Sequence, residues 1–118
     1  MTKQEFEKML GEAETAAGLP MAIVKRQLEK YVDVVRKVNG EWCVMMGFPV
    51  KDVRVDYGTR YAKVVTDHSV HSFVDTKNGD ILKAGSYRAP ARNGVRGNIF
   101  SEDIGKSVID WHGTKYLR

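Results

Sequence analysis

Arginine recurs at short intervals in a segment, residues 83–100, that contains no acidic residue. The segment holds Lys83, Arg88, Arg92 and Arg96, and a proline and several glycines interrupt it. A guanidinium group donates forked pairs of hydrogen bonds that match the oxygens of a phosphate. Because such an interrupted segment does not favour a long helix, we expect the arginines to converge on one phosphate-bearing anion.

Amide and aromatic side chains accompany these arginines. Asn93 and Asn98 offer donors and acceptors suited to base edges or ribose, and the aromatic rings offer stacking faces for a purine. The predicted ligand-binding residues are Phe73, Tyr87, Arg88, Arg92, Asn93, Arg96, Asn98 and Phe100. The alternative is an ordinary surface turn, whose arginines are neutralised by carboxylates of the same chain or of a neighbouring subunit.

The histidines and the cysteine form no recognisable catalytic or metal-binding pattern. His68, His71 and His112 are scattered, and Cys43 is the only cysteine. A zinc site needs three or four ligands at suitable spacing. Cys43 lies in an apolar run, which favours a buried structural role. We therefore predict a binding protein rather than an enzyme, with no metal and no cofactor.

The composition is that of one small globular domain, residues 1–118. The net charge of +4 indicates a basic protein, although dedicated duplex-DNA binders are usually more basic. A single cysteine is typical of a reducing compartment. The first residues lack an apolar signal region, and no run approaches the roughly 18 apolar residues of a membrane helix. These features predict a cytoplasmic protein that does not enter a membrane.

Two stretches of helical periodicity open the chain. Apolar residues recur at helical spacing over residues 6–17 and again over residues 24–38, and Asn39 and Gly40 form a stop signal. The pattern predicts a helical hairpin. Residues 41–50 are densely apolar without clean alternation, and we expect a short buried helical turn or a loop there.

A two-residue period then predicts strands, at residues 53–57, 61–66, 70–75 and 81–84. The short connections favour a four-stranded antiparallel meander. Beyond Gly85 the periodicity is lost, and a short helix is predicted over residues 104–111. The expected fold class is α+β, with a helical hairpin packed on the meander and an irregular C-terminal segment.

Four short runs resemble a family of small phage and prophage proteins. They are Tyr57-Gly-Thr-Arg-Tyr, Gly79-Asp-Ile-Leu-Lys, Ser86-Tyr-Arg-Ala-Pro-Ala and Arg96-Gly-Asn-Ile-Phe. The chain is most similar to the first type of Thoeris anti-defence sponge protein, although Tyr87 stands where tryptophan is expected and Arg88 where lysine is common. The shared motif positions with a possible binding role are Arg88, Arg92, Arg96 and Asn98.

The resemblance implies a helical pair, an antiparallel sheet and a homo-oligomer assembled from dimers. It also implies sequestration, without cleavage, of a cyclic ADP-ribose isomer or another cyclic nucleotide signal, with cyclic oligonucleotides as a further ligand class. Two other functions remain open from the residues. The arginines and aromatic rings also suit single-stranded nucleic acid, and a third reading is an inhibitor of a host protein or a virion accessory protein.

Overall fold

One long helix packs against one face of an antiparallel sheet in the computed structural model, which describes residues 19–115. The helix and the strands are α1 (Met21–Met46), β1 (Val53–Tyr57), β2 (Tyr61–Thr66), β3 (Ser69–Asp75), β4 (Asp80–Ala84) and β5 (Pro90–Asn98). The sheet has five strands in the order β1-β2-β3-β4-β5. The fold is therefore α+β, as predicted, with a meander of one strand more than expected.

Helix α1 binds the sheet through buried residues at helical spacing. Val24, Leu28, Tyr31 and Val35 are fully buried, as expected for one face of a 3.6-residue repeat. The helix ends at Gly47, which adopts a left-handed conformation with φ of 76° and donates its N–H to the last turn. Among residues 19–115, no helix is both long enough and apolar enough to cross a bilayer.

The predicted end of this helix at Asn39 and Gly40 was wrong, because α1 continues to Met46. The Asn39 side chain is buried and donates from Nδ2 to the carbonyl oxygen of Trp111 at 3.0 Å. A tertiary hydrogen bond thus accommodates a residue that usually favours turns. The other predicted helix, over residues 6–17, lies outside the described residues.

The side of the sheet that faces α1 carries the main hydrophobic core. Its strand residues include Val53, Ala62, Val64, Val74 and Ile81. Residues opposite one another on neighbouring strands point to the same side of a sheet. The register pairs Arg54 with Val65, Lys63 with Phe73 and Phe73 with Leu82. These five residues therefore lie on the other side, which we call the open face.

The C-terminal part departs most from the prediction. Residues 90–98 form β5, which pairs with β4 through Leu82 and Val95 and through Ile81 and Gly97. The expected helix over residues 104–111 is reduced to a single 3-10 turn, Lys106–Val108. Ser101 and Asp103 instead accept hydrogen bonds from the backbone N–H groups that follow, which favours a tight turn.

Candidate functional site

The loop between β4 and β5, residues 85–89, lies across the open face of the sheet. Tyr87 places its ring 4.0 Å from Nζ of Lys63, a β2 residue. The loop is closed by backbone hydrogen bonds, since the N–H groups of Gly85 and Ser86 both donate to the carbonyl oxygen of Ala89 at 3.0 Å. Phe73 and Leu82 are buried on this side of the sheet. The open face therefore has a second, smaller apolar layer beneath a polar surface.

A cleft of about 350 Å³ lies where this loop meets the hairpin of β1 and β2. Its volume is within the range of small-ligand sites. The β1–β2 hairpin supplies most of the lining, β3 supplies one residue and the loop supplies Arg88. The lining residues are Asp56, Tyr57, Gly58, Thr59, Arg60, Tyr61, Lys63, Phe73 and Arg88.

Positive charge predominates in this cleft. Arg60, Lys63 and Arg88 contribute three cations to its lining, against one carboxylate from Asp56. Arg60 is only loosely paired, with Nε 3.8 Å from a carboxylate oxygen of Asp75. Its guanidinium carbon also lies 5.2 Å from the centroid of the Tyr61 ring. The cleft thus combines cations with aromatic surface, which suits an anion that carries a planar group.

Asp56 forms an ion pair with Arg54 at the rim of the open face. Nε of Arg54 lies 3.3 Å from one carboxylate oxygen of Asp56, and Nη2 lies 3.4 Å from the other. The hydrogen bond and the charge of Asp56 raise the pKa of Arg54, and Tyr87 adds a smaller contribution. Because Arg54 offsets the charge of Asp56, an anion in the cleft experiences the cations of Arg60, Lys63 and Arg88 more than this carboxylate.

Three of the predicted ligand-binding residues meet at this cleft. Arg88 lines it directly, Phe73 forms part of its wall, and Tyr87 stacks on the lining residue Lys63. Phe73 is only 2% exposed and makes an edge-to-face contact with Tyr61 at 6.3 Å between ring centroids. The prediction that Phe73 offers a free stacking face is therefore wrong, and Tyr61 and Tyr87 are the more accessible rings.

The side chains of Arg96 and Asn98 form hydrogen bonds within the folded chain. Nε of Arg96 donates to the carbonyl oxygen of Lys115 at 3.2 Å, and Nη1 donates to the carbonyl oxygens of Asn93 and Val95. Nδ2 of Asn98 donates to the carbonyl oxygen of Asn78 at 3.0 Å, and its Oδ1 accepts from the next turn. Both side chains hold segments together rather than facing the cleft.

The expected convergence of the three arginines on one anion is not what the structure contains. The guanidinium group of Arg96 donates to backbone carbonyl oxygens of Lys115, Asn93 and Val95 instead of an anion. Arg88 lies in the loop before β5, and Arg92 and Asn93 are exposed outside the cleft lining. Phe100 is 2% exposed and belongs to the core, so its predicted stacking role is also wrong.

Sequence reasoning missed the contribution of the β1–β2 hairpin to the cleft. Tyr61 and Lys63 lie in the strand predicted over residues 61–66, and Arg60 lies in the connection just before it, but none of the three was predicted to bind a ligand. The sequence did contain one signal for this cleft, namely which face of the sheet each strand residue occupies. Tyr61 and Lys63 alternate with the buried Ala62 and Val64, so they had to share the face opposite the core.

A buried chain of hydrogen bonds links α1, β3 and the C-terminal segment. The Tyr31 hydroxyl lies 2.7 Å from Oγ of Ser72, which lies 2.9 Å from Nδ1 of His71. Nε2 of His71 lies 2.9 Å from the carbonyl oxygen of Asp110. Because a carbonyl oxygen can only accept, Nε2 carries the proton of the neutral ring and Nδ1 accepts from Ser72.

This serine–histidine pair resembles a nucleophile with its base, but it is enclosed in the core. Ser72 is 0% exposed and His71 is 1% exposed. Burial also lowers the pKa of His71, which favours the neutral ring. Cys43 is buried as predicted. Within the described part of the chain, no group of three or more acidic, histidine or cysteine side chains is arranged to hold a metal ion.

A second and larger cleft, of about 580 Å³, lies at the far end of β1. Trp42, Phe48 and Trp111 provide its aromatic lining. Its charged residues are Lys51, Asp52 and Asp67, so two carboxylates accompany one cation. This balance does not favour an anion, and the smaller cleft under Arg88 is the better candidate for a phosphate-bearing ligand.

The fold and the cleft define a small α+β domain with a basic, aromatic site on the open face of its sheet. The chain belongs to a family of unknown function, DUF7717, whose model matches residues 14–117. Comparison with curated proteins and with solved structures finds no match.

Proposed function

We propose that this protein binds a phosphate-bearing nucleotide in the cleft under residues 85–89 and retains it without chemical change. One observation carries the proposal. Arg88 from the β4–β5 loop meets Arg60 and Lys63 from the β1–β2 hairpin around a cleft of about 350 Å³. Cations that come from separate segments and border one concave site are the arrangement that a phosphate group requires.

The aromatic residues support a nucleotide rather than a bare phosphate. Tyr61 and Tyr87 border the cations, and each already contacts a cationic side chain, Arg60 and Lys63 respectively. A purine can stack on such a ring while its phosphates contact the neighbouring charges. Tyr87 is 51% exposed, so its ring remains accessible for this contact although Lys63 lies against it.

Retention rather than turnover is proposed because the cleft offers cations and rings but little acid–base chemistry. The carboxylate of Asp56, bonded to Arg54, is the only acidic group in the described lining. Binding by forked hydrogen bonds and stacking needs no proton transfer. The resemblance to anti-defence sponges supports a specific ligand and role for this binding. A cyclic ADP-ribose-type immune signal is bound in the host cytoplasm and withheld from its receptor.

Isothermal titration with cyclic ADP-ribose isomers, with ADP-ribose and AMP as comparison ligands, tests this proposal. Arg88→Ala removes one charged hydrogen-bond donor and is expected to weaken binding by about 10- to 100-fold. Arg92→Ala is the matched control, since Arg92 is exposed on β5 outside the cleft lining, and it should bind like the unmodified protein. Mass spectrometry of the released ligand should recover the intact nucleotide.

Two results would contradict the proposal. Absence of binding to every nucleotide tested removes the function itself. Equal losses in the Arg88 and Arg92 variants would show that general surface charge, rather than the cleft, holds the ligand.

Single-stranded nucleic acid is a second candidate ligand, because the basic and aromatic surface extends beyond the cleft. Arg54 lies on the same face of the sheet and adjoins Tyr87. A sheet face with aromatic and cationic residues suits stacked bases and a phosphate backbone. Oligonucleotide affinity that falls steeply between low and moderate salt, without tight binding of mononucleotides or cyclic nucleotides, would favour this function.

A further inference from the structure

The cleft under residues 85–89 places one carboxylate directly beside one of its cations. The register of the β1–β2 hairpin pairs Asp56 with Lys63, and both residues line the cleft. Residues paired in this way point to the same side of the sheet, with Cβ atoms about 5 Å apart. A ligand whose phosphate group contacts Lys63 therefore brings the next part of its molecule within reach of Asp56.

Arg54 holds the Asp56 carboxylate in a fixed orientation. The Nε and Nη2 atoms of Arg54 lie 3.3 Å and 3.4 Å from the two carboxylate oxygens. Its Nη1 atom donates to the carbonyl oxygen of Asp67 at 3.2 Å, which anchors the guanidinium group to the backbone. An acceptor that is oriented before the ligand arrives loses less conformational freedom on binding.

The Asp56 carboxylate retains capacity for further hydrogen bonds. Each carboxylate oxygen can accept two bonds, and the distances to Arg54 exceed the roughly 2.7–2.9 Å of a strong charge-assisted bond. Among the described residues, Arg54 is the only hydrogen-bond donor to this carboxylate. The Asp56 side chain is 49% exposed, so a ligand in the cleft can reach it.

Only a hydrogen-bond donor of the ligand can pair with this group. An ionised carboxylate has no proton to donate and repels a phosphate oxygen at short distance. In a nucleotide, the ribose is joined to the phosphate through a single CH₂ group and carries hydroxyl groups, whereas an exocyclic amine of adenine lies on the far side of the base. Because Asp56 is the neighbour of Lys63, a ribose hydroxyl group is the donor within its reach.

We propose that Asp56 accepts a hydrogen bond from a ribose hydroxyl group of the bound nucleotide. The cleft then selects ribosyl phosphates over phosphates whose sugar lacks these hydroxyl groups. The ion pair with Arg54 reduces the net charge at this position, so the carboxylate can act as an acceptor beside a site that attracts phosphate. The inference rests on the proposed function, because it assigns the sugar subsite of the same cleft.

The larger cleft at the far end of β1 does not offer this arrangement. Lys51, the cation of its described lining, precedes the strand and accompanies two carboxylates. Beside this cleft, the sequence predicted a short buried helical turn or a loop over residues 41–50, but most of these residues are exposed, with Val44 and Met45 at 71% and 72%. The sugar subsite is therefore assigned to the smaller cleft.

Isothermal titration with AMP, 2′,3′-dideoxy-AMP and inorganic phosphate tests this assignment. The unmodified protein should bind AMP about 10- to 100-fold more tightly than the dideoxy analogue, as expected for a hydrogen bond to a charged acceptor. Asp56→Ala should abolish this preference. The ratio of the two dissociation constants is the measure, because Asp56→Ala also frees Arg54, which changes the affinity for both nucleotides alike.

Asp33→Ala is the matched control for the loss of a paired aspartate. Asp33 forms an ion pair with Arg36 at 2.8 Å, but it lies on α1 outside the cleft lining. This variant has the same net charge as Asp56→Ala and should keep the preference for AMP over the dideoxy analogue. An equal loss of preference in the two variants would show that overall charge, rather than the Asp56 carboxylate, sets the selectivity.

The remaining outcomes distinguish a failure of this inference from a failure of the proposed function. Equal binding of AMP and its dideoxy analogue, or a preference that survives Asp56→Ala, overturns the sugar subsite and leaves nucleotide binding intact. AMP that binds no more tightly than inorganic phosphate, or a cyclic ADP-ribose isomer that binds where AMP does not, also overturns the subsite. Absence of binding to phosphate and to every nucleotide removes the proposed function itself.

Discussion

The Nζ atom of Lys63 lies 4.0 Å from the centre of the Tyr87 ring and joins the β4–β5 loop to the middle of β2. A cation over an aromatic face at this distance is attracted by the quadrupole of the ring. The contact brings a loop from one end of the sheet over residues of the β1–β2 hairpin. The position of Arg88, the next residue along the loop, therefore depends on this pair.

Replacing Lys63 by methionine should loosen the loop without altering the core. An exposed cation–π contact contributes about 0.5–1 kcal/mol, so loop opening should become roughly two- to fivefold more frequent. Hydrogen exchange of the Gly85 and Ser86 amides, both bonded to Ala89 in the closed loop, reports this opening. Lys30→Met on the exposed side of α1 is the control. Equal exchange in the two variants would show that Lys63 does not hold the loop.

In the hydrogen-bond chain from Tyr31 to His71, removal of the central Ser72 hydroxyl should lower the free energy of unfolding more than removal of the Tyr31 hydroxyl. Tyr31→Phe leaves Ser72 with His71 as a partner, so we expect a loss of about 1 kcal/mol. Ser72→Ala leaves both the Tyr31 hydroxyl and Nδ1 of His71 unpaired in the core, and we expect a loss of about 2–4 kcal/mol.

Urea denaturation of these variants measures both values. Ser69→Ala is the control, since Ser69 is an exposed serine of the same strand, and it should change the free energy of unfolding by less than about 0.5 kcal/mol. A larger loss for Tyr31→Phe than for Ser72→Ala would contradict the central position of Ser72 between Tyr31 and His71.

Strands β1 and β2 were predictable because the alternation of apolar and polar residues in the sequence agrees with the burial of alternate residues in the sheet. In β1 the apolar Val53 and Val55 alternate with Arg54 and Asp56, and the structure buries Val53 against the core. β5 was not predictable in this way, because its glycines serve a tertiary purpose. A Cβ atom at Gly97 would lie 2.8 Å from Cγ2 of Val108. A contact with a segment that follows later in the chain leaves no local pattern.

The sequence indicated the types of residue that line the candidate cleft, but not which individual residues line it. Arginine and aromatic residues border the cleft, and Arg88 is among them. Arg96 looked equivalent in the sequence, yet its guanidinium group binds a backbone carbonyl that lies 19 residues away. Sequence spacing indicates which cations are available, whereas the partners that compete for them depend on the folded chain. The same holds for Phe100, which packs in the core.

Folding stability should fall as the pH is lowered from about 7 towards 5, because of His71. Burial holds its pKa in the folded state below the ordinary value of 6.5. The unfolded chain therefore binds a proton at a pH where the folded chain does not, and stability decreases as the pH falls below 6.5. The slope for one proton is at most about 1.4 kcal/mol per pH unit.

Urea denaturation between pH 7.5 and 5 tests this dependence. Asp110 and His112 are the charged groups that also influence the ring. His71→Gln should flatten the slope, whereas His112→Gln, at an exposed position, should preserve most of it. Asp103 does not interfere, because hydrogen bonds from Ser107 and its neighbours lower its pKa to about 2, and its contribution is lost only in more acidic solution. A slope unchanged by His71→Gln would contradict the prediction.

Two glycines with nearly the same left-handed backbone should respond very differently to substitution by alanine. Gly47 and Gly105 have φ of +76° and +80°. At Gly47 nothing lies within 4 Å of an added Cβ, so Gly47→Ala should cost only the conformational strain, about 1 kcal/mol. At Gly105 the added atom would lie 2.2 Å from Cδ1 of Ile81 and 3.4 Å from the Tyr31 ring.

Gly105→Ala therefore adds overpacking to the same strain, and we expect a total loss of about 2–4 kcal/mol. Since Gly105 packs on Ile81 and Tyr31, this loss should be accompanied by changes in the core rather than at the surface. Urea denaturation gives the two free energies, and near-ultraviolet circular dichroism reports the Tyr31 environment. Similar losses at the two positions would mean that Ile81 moves freely, and that the turn before the 3-10 helix does not pack tightly on the core.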